Sequence, residues 1–445
     1  MARAMQVAEF QDTQADEPAP ARPPQVELLI DLFRAALAAA DPMQVLPPQL
    51  PAPPRGRTVV VGVGKAAAAM ARAVEAHWPG PLSGVVVVPE GATLPTARIE
   101  VLEASHPVPD ERSVHAARSL MSAVEGLSAD DLVIALVSGG GSALCAWPAN
   151  GLSLADKQRL TRELLRSGAT IAEINTVRRH LSRIKGGRLA AHAHPARVVS
   201  LVISDVPGDD PAQVASGPTL ADSSTCADAL AILQRHRLAD DPVVRNALAT
   251  GAWESVKASD ARLASHEHRL IASAWTGLAA AAAQARAAGW ACHILSDAME
   301  GEARELGAAH AALALSVAQR GAPFAAPCVI LSGGEATVTV RGGGRGGRNT
   351  ELALALGLAL EGRAGSERIH ALSAGTDGLD GRAGAAGAWL TPATLAQSRA
   401  LGLHPRAHLD DNDSARVFEA VRSLLITGPT HTNINDFRAI LVEAA

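Results

Sequence analysis

Three glycine-rich turns, each following an apolar run, hold the residues best placed for chemistry in this chain. The first, Gly62-Val63-Gly64-Lys65-Ala66-Ala67, has the G-x-G-x-x-A spacing of a dinucleotide-binding turn. Glu90, just past the apolar run 85–88, stands where a ribose-binding acid could follow. Lys65 points to a different ligand, because an ammonium at a helix N-terminus, whose N–H groups already attract anions, suits a phosphate. A Walker A loop is absent, and the plainer alternative is a tight strand-to-helix turn with an incidental lysine. The second turn is Ser138-Gly139-Gly140-Gly141-Ser142-Ala143, directly after the run 132–137. Its glycines let backbone N–H groups converge and its serines add hydroxyl donors, a composition suited to phosphate or another anion. The third, Gly342-Gly343-Gly344-Arg345-Gly346-Gly347-Arg348-Asn349-Thr350-Glu351, joins glycines to the planar forks of Arg345 and Arg348. That combination recognises phosphate or carboxylate, and here it runs into a helix rather than a long disordered array. Ser332-Gly333-Gly334-Glu335 precedes it with a carboxylate in place of a cation.

Carboxylates at strand ends complete the set. Asp205 follows the run 198–203, and Asp377, in Thr376-Asp377-Gly378, follows 370–373. Each could hold a divalent ion or take a hydroxyl proton, although an aspartate in a turn more often caps it. A run dense in cations, from Asn175 to Arg188, stands out in an acidic protein. Its bland reading is a solvated helix face, whereas the break Lys185-Gly186-Gly187-Arg188 suggests anion contacts at a helix start. His180 by itself reads as structural. His106-Pro107-Val108-Pro109 reads as a fixed loop, with no second ligand at metal spacing.

The elements that must position these groups alternate strand, turn and helix. Runs at 58–61, 85–88, 132–137 and 198–203, apolar on both faces, predict a parallel sheet covered by helices on each side. A helix with Val26, Leu29, Ile30, Phe33 and Leu37 at helical spacing precedes them. After a more polar passage the alternation restarts, with strands expected at 270–274, 292–295, 328–331, 336–340, 370–373 and 424–426. The segment 335–340 could be half of a hairpin. The expected organisation is a disordered tail at 1–24, a Rossmann-like domain at 25–240, a passage at 241–268 and a smaller α/β domain at 269–445. The cleft between the two domains is the expected site.

Composition removes several functions. Of 445 residues, 48% are hydrophobic and 19% charged, the net charge is −5, aromatic residues are 2%, and tyrosine is absent. Neither a cationic face nor stacking platforms are supplied, so nucleic acid is not an expected partner. Cys145, Cys226, Cys292 and Cys328 lie far apart, which argues against a zinc site or disulfide framework and fits a reducing cytoplasm. The uncharged window 132–155 is long enough to span a bilayer, but its glycines and Trp147-Pro148 would break a membrane helix, so no membrane association is expected. The 39 glycines concentrate at strand ends, where backbone amides can meet phosphate.

Taken in order, these motifs resemble the glycerate 2-kinases. Gly62-Val63-Gly64-Lys65-Ala66, Ser105-His106-Pro107-Val108-Pro109, the Ser138–Ala143 turn, Ile184-Lys185-Gly186-Gly187-Arg188, Ser204-Asp205-Val206-Pro207-Gly208-Asp209 and Ala215-Ser216-Gly217-Pro218-Thr219 look like that family's N-terminal half. Ser332-Gly333-Gly334-Glu335, Gly344-Arg345-Gly346-Gly347-Arg348-Asn349, Gly375-Thr376-Asp377-Gly378 and the stretch 427–436 resemble its C-terminal MOFRL domain. The chain departs from the pattern at Thr350, where glutamine is common, and at Ser273-Ala274-Trp275, where asparagine is more typical. The resemblance implies ATP- and Mg²⁺-dependent phosphorylation of D-glycerate at its C2 hydroxyl. It implies Lys65 and an arginine of the glycine loop, Arg345 ahead of Arg348, as catalytic cations. Asp205 and Asp377 are candidates for Mg²⁺ or for the base that orients the C2 hydroxyl, with Asp205 counted among the catalytic residues. Gly64, Ser138, Gly139, Gly140, Gly141, Ser142, Lys185, Arg188, Glu335, Arg348 and Asn349 are the expected substrate and phosphate contacts. A homodimer is compatible with this reading. Family members also carry the label hydroxypyruvate reductase, which keeps an NAD(P)-dependent reductase as the alternative.

Overall fold

The valine- and leucine-rich runs that seemed apolar on both faces form the centre of a sheet. A computed structural model describes residues 22–445. Its first sheet contains β1 (Thr58–Val63), β2 (Ser83–Pro89), β3 (Ile99–Ala104), β4 (Leu132–Ser138), β5 (Arg197–Ile203) and β6 (His266–Ala272). They lie in the order β3-β2-β1-β4-β5-β6. Pairing from β3 through β5 is parallel, with Val61 opposite Val85 on one side and Ala135 on the other. Both β1 and β4 are buried along their whole length, as a strand covered on both faces must be. Strand order reverses between β1 and β4. In open α/β sheets the crevice outside the carboxyl ends at such a reversal is where ligands bind. The Lys65 and Ser138–Ser142 turns leave the sheet there.

The second sheet contains β7 (Ala291–Ile294), β9 (Cys328–Gly334), β11 (Ile369–Gly375), β12 (Gly387–Leu390), β13 (Leu424–Leu425) and β14 (Asp436–Val442), in the order β13-β12-β11-β14-β9-β7. Only β7 and β9 pair in parallel. The other pairs are antiparallel, with β14 inserted between β11 and β9. Helix Pro24–Ala38 and helix Ala274–Ala287 cover one face, packing Leu29, Ile30, Phe33 and Leu278 on Leu331, Phe437 and Leu441. Helices Ala303–Arg320 and Arg348–Leu360 cover the other. A separate short parallel pair joins β8 (Gly301–Glu302) to β10 (Ala336–Thr337).

Two compact units result. One is Pro42–Ile271, and the other joins Ala272–Ala445 to the chain up to Asp41. The expected boundaries need correction at three points. The first helix belongs with the C-terminal unit, where Phe33 and Phe437 lie ring to ring at 5.6 Å and Gln25 Nε2 donates to Glu443 Oε1 at 2.7 Å. The expected passage 241–268 instead holds helix Pro242–Ala249 and the first three residues of β6, and the structure places 266–272 in the first sheet. Of the expected tail, 1–21 lies outside the described residues, and Pro24 already starts a helix. The segment near 336 is a parallel pair rather than half of a hairpin. Among the described residues, no helix is long and apolar enough to cross a membrane.

Candidate active site

In the first unit, the chain leaving β1 and the chain leaving β4 are bonded to each other. The N–H of Lys65 donates to the Gly139 carbonyl at 2.8 Å, and that of Ala66 donates to Ser138 Oγ at 3.0 Å. Ser138 is fully buried, so its hydroxyl holds the Lys65 turn in place. Gly139 lets β5 deliver its carboxylate: a Cβ there would sit 1.7 Å from Asp205 Oδ2. On the next residue, a Cβ on Gly140 would meet Lys65 Cγ at 3.3 Å and His106 Nε2 at 3.4 Å. The Ser138–Ser142 turn therefore gathers Lys65 from β1, His106 from the loop after β3 and Asp205 from β5. It opens the short helix Gly141–Leu144. Among the described residues the N–H groups of Gly140, Gly141 and Ser142 have no protein acceptor, which suits them to an anion.

The cation-rich run is not a solvated face. Asn175, Arg179, His180 and Lys185 are buried, and Arg179 pairs with buried Asp222 at 3.1 Å. Lys185 Nζ donates to the Ala215 carbonyl at 3.3 Å, and burial lowers its pKa to about 8. Arg188 spends its donors on four carbonyls, of Arg179, Lys185, Trp253 and Glu254, at 2.6–3.0 Å. That geometry makes Arg188 a staple of the Lys-Gly-Gly-Arg turn rather than an anion contact. Sequence reasoning passed over Asn175 and Ser216, which reach the site through hydrogen bonds; only their place in the quoted motifs signalled them.

In the second unit, the glycine loop meets protein where a ligand had been expected. The N–H groups of Arg341 and Gly342 donate to Asn412 Oδ1, that of Gly343 to Asp411 Oδ1, that of Gly344 to the Asp411 carbonyl and that of Arg345 to Asp413 Oδ1. A Cβ on Gly344 would lie 2.3 Å from that of Asp413. The glycines thus seat this loop on residues 411–413, and its guanidinium groups are left to do any binding. Arg345, with its side chain 54% exposed, pairs with Glu419 at 2.5 Å. Arg348 is held more firmly, donating from Nε to buried Asp436 at 2.8 Å and pairing with Glu335 at 2.6 Å. Burial works against its charge, but Asp436 and Glu335 outweigh that and raise its pKa.

Asp436 also accepts from Asn349 Nδ2 at 2.9 Å, from the Ala336 N–H at 3.1 Å and from Arg438 at 3.1 Å. Asp380 caps helix Arg348–Leu360 from another loop, accepting from the N–H groups of Asn349 and Thr350 at 2.9 Å each and from the Thr350 hydroxyl at 2.8 Å. Thr350, the departure from the family pattern, is therefore part of this cap. Asn349 is fully buried and binds protein on both sides, with Ser373 Oγ donating to its Oδ1 at 2.7 Å. Glu335, Asn349 and Asp436 thus position Arg348. Asp377 accepts from the Leu379 N–H at 3.1 Å, as a turn aspartate does.

For a divalent ion the donor set is sparse. Neither Asp205 nor Asp377 belongs to a group of three His, Cys, Asp or Glu ligand atoms; among the described residues that description fits only His180, Cys226 and Glu254. There Lys257 Nζ lies 2.7 Å from Glu254, occupying the carboxylate with an ion pair. Mg²⁺ keeps several waters and binds through one or two carboxylates plus phosphates, so it does not require such a group of three.

Comparison with known proteins places this geometry in a family. Residues 28–249 match the domain of unknown function DUF4147, and residues 328–436 match the MOFRL family. A protein of Agrobacterium vitis with the provisional name hydroxypyruvate reductase is 52% identical, over 94% of both chains. The D-glycerate 2-kinase of Thermotoga maritima is 40% identical, over 92% of this chain and 96% of its own. The crystal structure of the Thermotoga maritima glycerate kinase superimposes with a TM-score of 0.83 at 39% identity, covering 94% of this chain and all of that one. With both family domains matched, and with sequence and fold shared over nine-tenths of its length, the chain belongs to the glycerate kinase family.

Proposed function

We propose that this protein transfers the γ-phosphoryl group of ATP to the C2 hydroxyl of D-glycerate, giving 2-phosphoglycerate and ADP. The observation that carries this reading is the convergence of Lys65 and Asp205 on the Ser138–Ser142 turn, outside the carboxyl ends of β1, β4 and β5. Phosphoryl transfer needs placement and charge neutralisation more than covalent help, and cations with backbone amides supply both. In this reading the C2 oxygen attacks the γ-phosphorus and its proton passes to Asp205. The bond from the γ-phosphorus to the bridging oxygen breaks, and ADP leaves. Lys65 neutralises the transferring group and the amides of Gly140 and Gly141 hold its oxygens, while Arg345 is the further catalytic cation that the family resemblance implies. Asp205 or Asp377 would hold Mg²⁺, which when bound would balance phosphate charge. A reducing, cytoplasmic setting belongs to the same proposal, supported by four free and buried thiols.

The β3-β2-β1-β4-β5-β6 order and the G-x-G-x-x-A turn favour a second reading, NAD(P)-dependent reduction of hydroxypyruvate. Against it, Glu90, the candidate ribose acid, is paired with Arg112 at 3.2 Å. One experiment separates them. Purified protein is given D-glycerate, ATP and Mg²⁺ with ADP and phosphoglycerate isomers measured, then NADH or NADPH with hydroxypyruvate. The kinase reading expects ADP and 2-phosphoglycerate in equal amounts, with Lys65→Ala about a thousandfold slower. Nicotinamide oxidation without ADP would overturn it.

A further inference from the structure

A chain of buried polar side chains runs from Asp222 to the Ser142 hydroxyl, and one member fixes the direction of every hydrogen bond along it. Arg179 is a donor only. Buried and paired with Asp222 at 3.1 Å, it donates from Nη1 to Gln213 Oε1 at 3.2 Å. The amide oxygen of Gln213 therefore faces this chain, while its Nε2 donates away from it to Asp210. Facing that oxygen, Asn175 must present its Nδ2, at 3.3 Å, and its Oδ1 is turned to Ser216. An amide oxygen only accepts, so Ser216 gives Asn175 its one hydroxyl proton, at 3.3 Å. Ser216 Oγ can then only accept in its 2.6 Å bond with Ser142 Oγ. The Ser142 proton is committed inward, and what this partly buried hydroxyl offers outward is lone pairs.

The backbone holds Ser216 to this task. Ala215, Ser216 and Gly217 have φ of 53°, 60° and 58°, a left-handed run that is strained at each non-glycine residue. Three donors of one turn clamp the three carbonyls: Lys185 Nζ on Ala215 at 3.3 Å, the Gly186 N–H on Ser216 at 3.2 Å and the Gly187 N–H on Gly217 at 2.9 Å.

We infer that Ser142 is a hydrogen-bond acceptor for a hydroxyl group of a small hydroxy-acid substrate, and that it does not donate to a phosphate. This corrects the expectation that both serines of the turn serve an anion as donors, and with the kinase reading it assigns Ser142 to a hydroxyl of D-glycerate rather than to the phosphates of ATP. Ser216, Asn175, Gln213 and Arg179 are positioning residues acting through it. The test is the separation of two Michaelis constants. Ser142→Ala is expected to lose about tenfold in kcat/KM for D-glycerate with the KM for ATP unchanged, and Ser142→Thr, which keeps the acceptor, to recover most of it. Ser216→Ala releases the Ser142 proton to point outward, so inorganic phosphate should inhibit it several-fold more strongly than the wild type. A raised KM for ATP in Ser142→Ala, or weaker phosphate inhibition with D-glycerate unaffected, would make Ser142 an anion donor and overturn the inference. Unchanged constants for both substrates would overturn it as well. Wild-type turnover of D-glycerate tests the activity separately. If that fails, calorimetric titration with D-glycerate must still show tighter binding to the wild type than to Ser142→Ala, and equal or absent binding counts against the inference.

Discussion

Arg345 and Arg348 lie within one loop, yet different forces hold them. Arg345 is half exposed and paired with a surface glutamate, a contact worth about 0–1 kcal/mol. Arg348 compensates the charge of Asp436, whose side chain is fully buried. Arg345→Ala is therefore expected to leave thermal stability within about 1 kcal/mol of wild type while lowering kcat at least a hundredfold. Arg348→Ala is expected to cost about 1–3 kcal/mol, because Asp436 keeps other donors but loses a charged one. Melting curves and initial rates on the two variants decide between them. An Arg345→Ala enzyme at full rate, beside an inactive but stable Arg348→Ala enzyme, would move the catalytic assignment to Arg348. Residue types and order were enough to pick out both arginines; only their partners separate them, and Asp436 and Glu419 are 88 and 74 positions away in the chain.

The strands most legible in the sequence were those with nearly continuous apolar runs. β1, β2, β4 and β5 carry such runs, broken in β5 only by Ser200, and the structure extends each by a residue or more. β3, with Glu100 and Glu103 interrupting it, and β12, four residues long, gave no comparable signal. β6 lies at the sheet edge and opens with four polar residues, His266 to Arg269, so its start reads as part of a polar passage, while 270–272 fall within an expected strand. It is tied to β5 by a 3.1 Å contact between His266 Nε2 and Ser200 Oγ, and burial lowers the pKa of His266 to about 4, with His268 adding to the shift. Between about pH 4 and 6.5 the unfolded chain takes up a proton that the folded imidazole refuses, so stability should be lost as pH falls through that window. Asp380, raised to about 6 by burial, works with the opposite sign in the other unit, losing stability as pH rises from about 4 to 6. The readout is therefore the difference between wild type and His266→Gln. Wild type should lose on the order of 2 kcal/mol more than the variant between pH 6.5 and 4.5. Parallel stability curves would mean that His266 is charged in the folded protein.

At the scale of the whole molecule, the first helix among the described residues, Pro24–Ala38, belongs to the C-terminal unit. Leu29, Ile30 and Phe33 are fully buried there, and each such side chain contributes roughly 1.5–3 kcal/mol by leaving water. Their sum is comparable with the total stability of a domain, about 5–15 kcal/mol. A fragment of residues 272–445 is thus expected to lack a cooperative melting transition, and a peptide of residues 22–41 added in trans to restore one. A sharp transition in the fragment alone would show the helix to be dispensable. The sequence by itself determined the α/β class, the strand-end glycine turns and the family motifs, because these follow from local periodicity, turn chemistry and residue order. Tertiary structure alone decided which unit the first helix and β6 join, which loop amides are already bonded, and which way the Ser142 proton points. Each of those depends on partners distant in the chain, and a hydrogen bond or a buried face is defined only once both sides are in place.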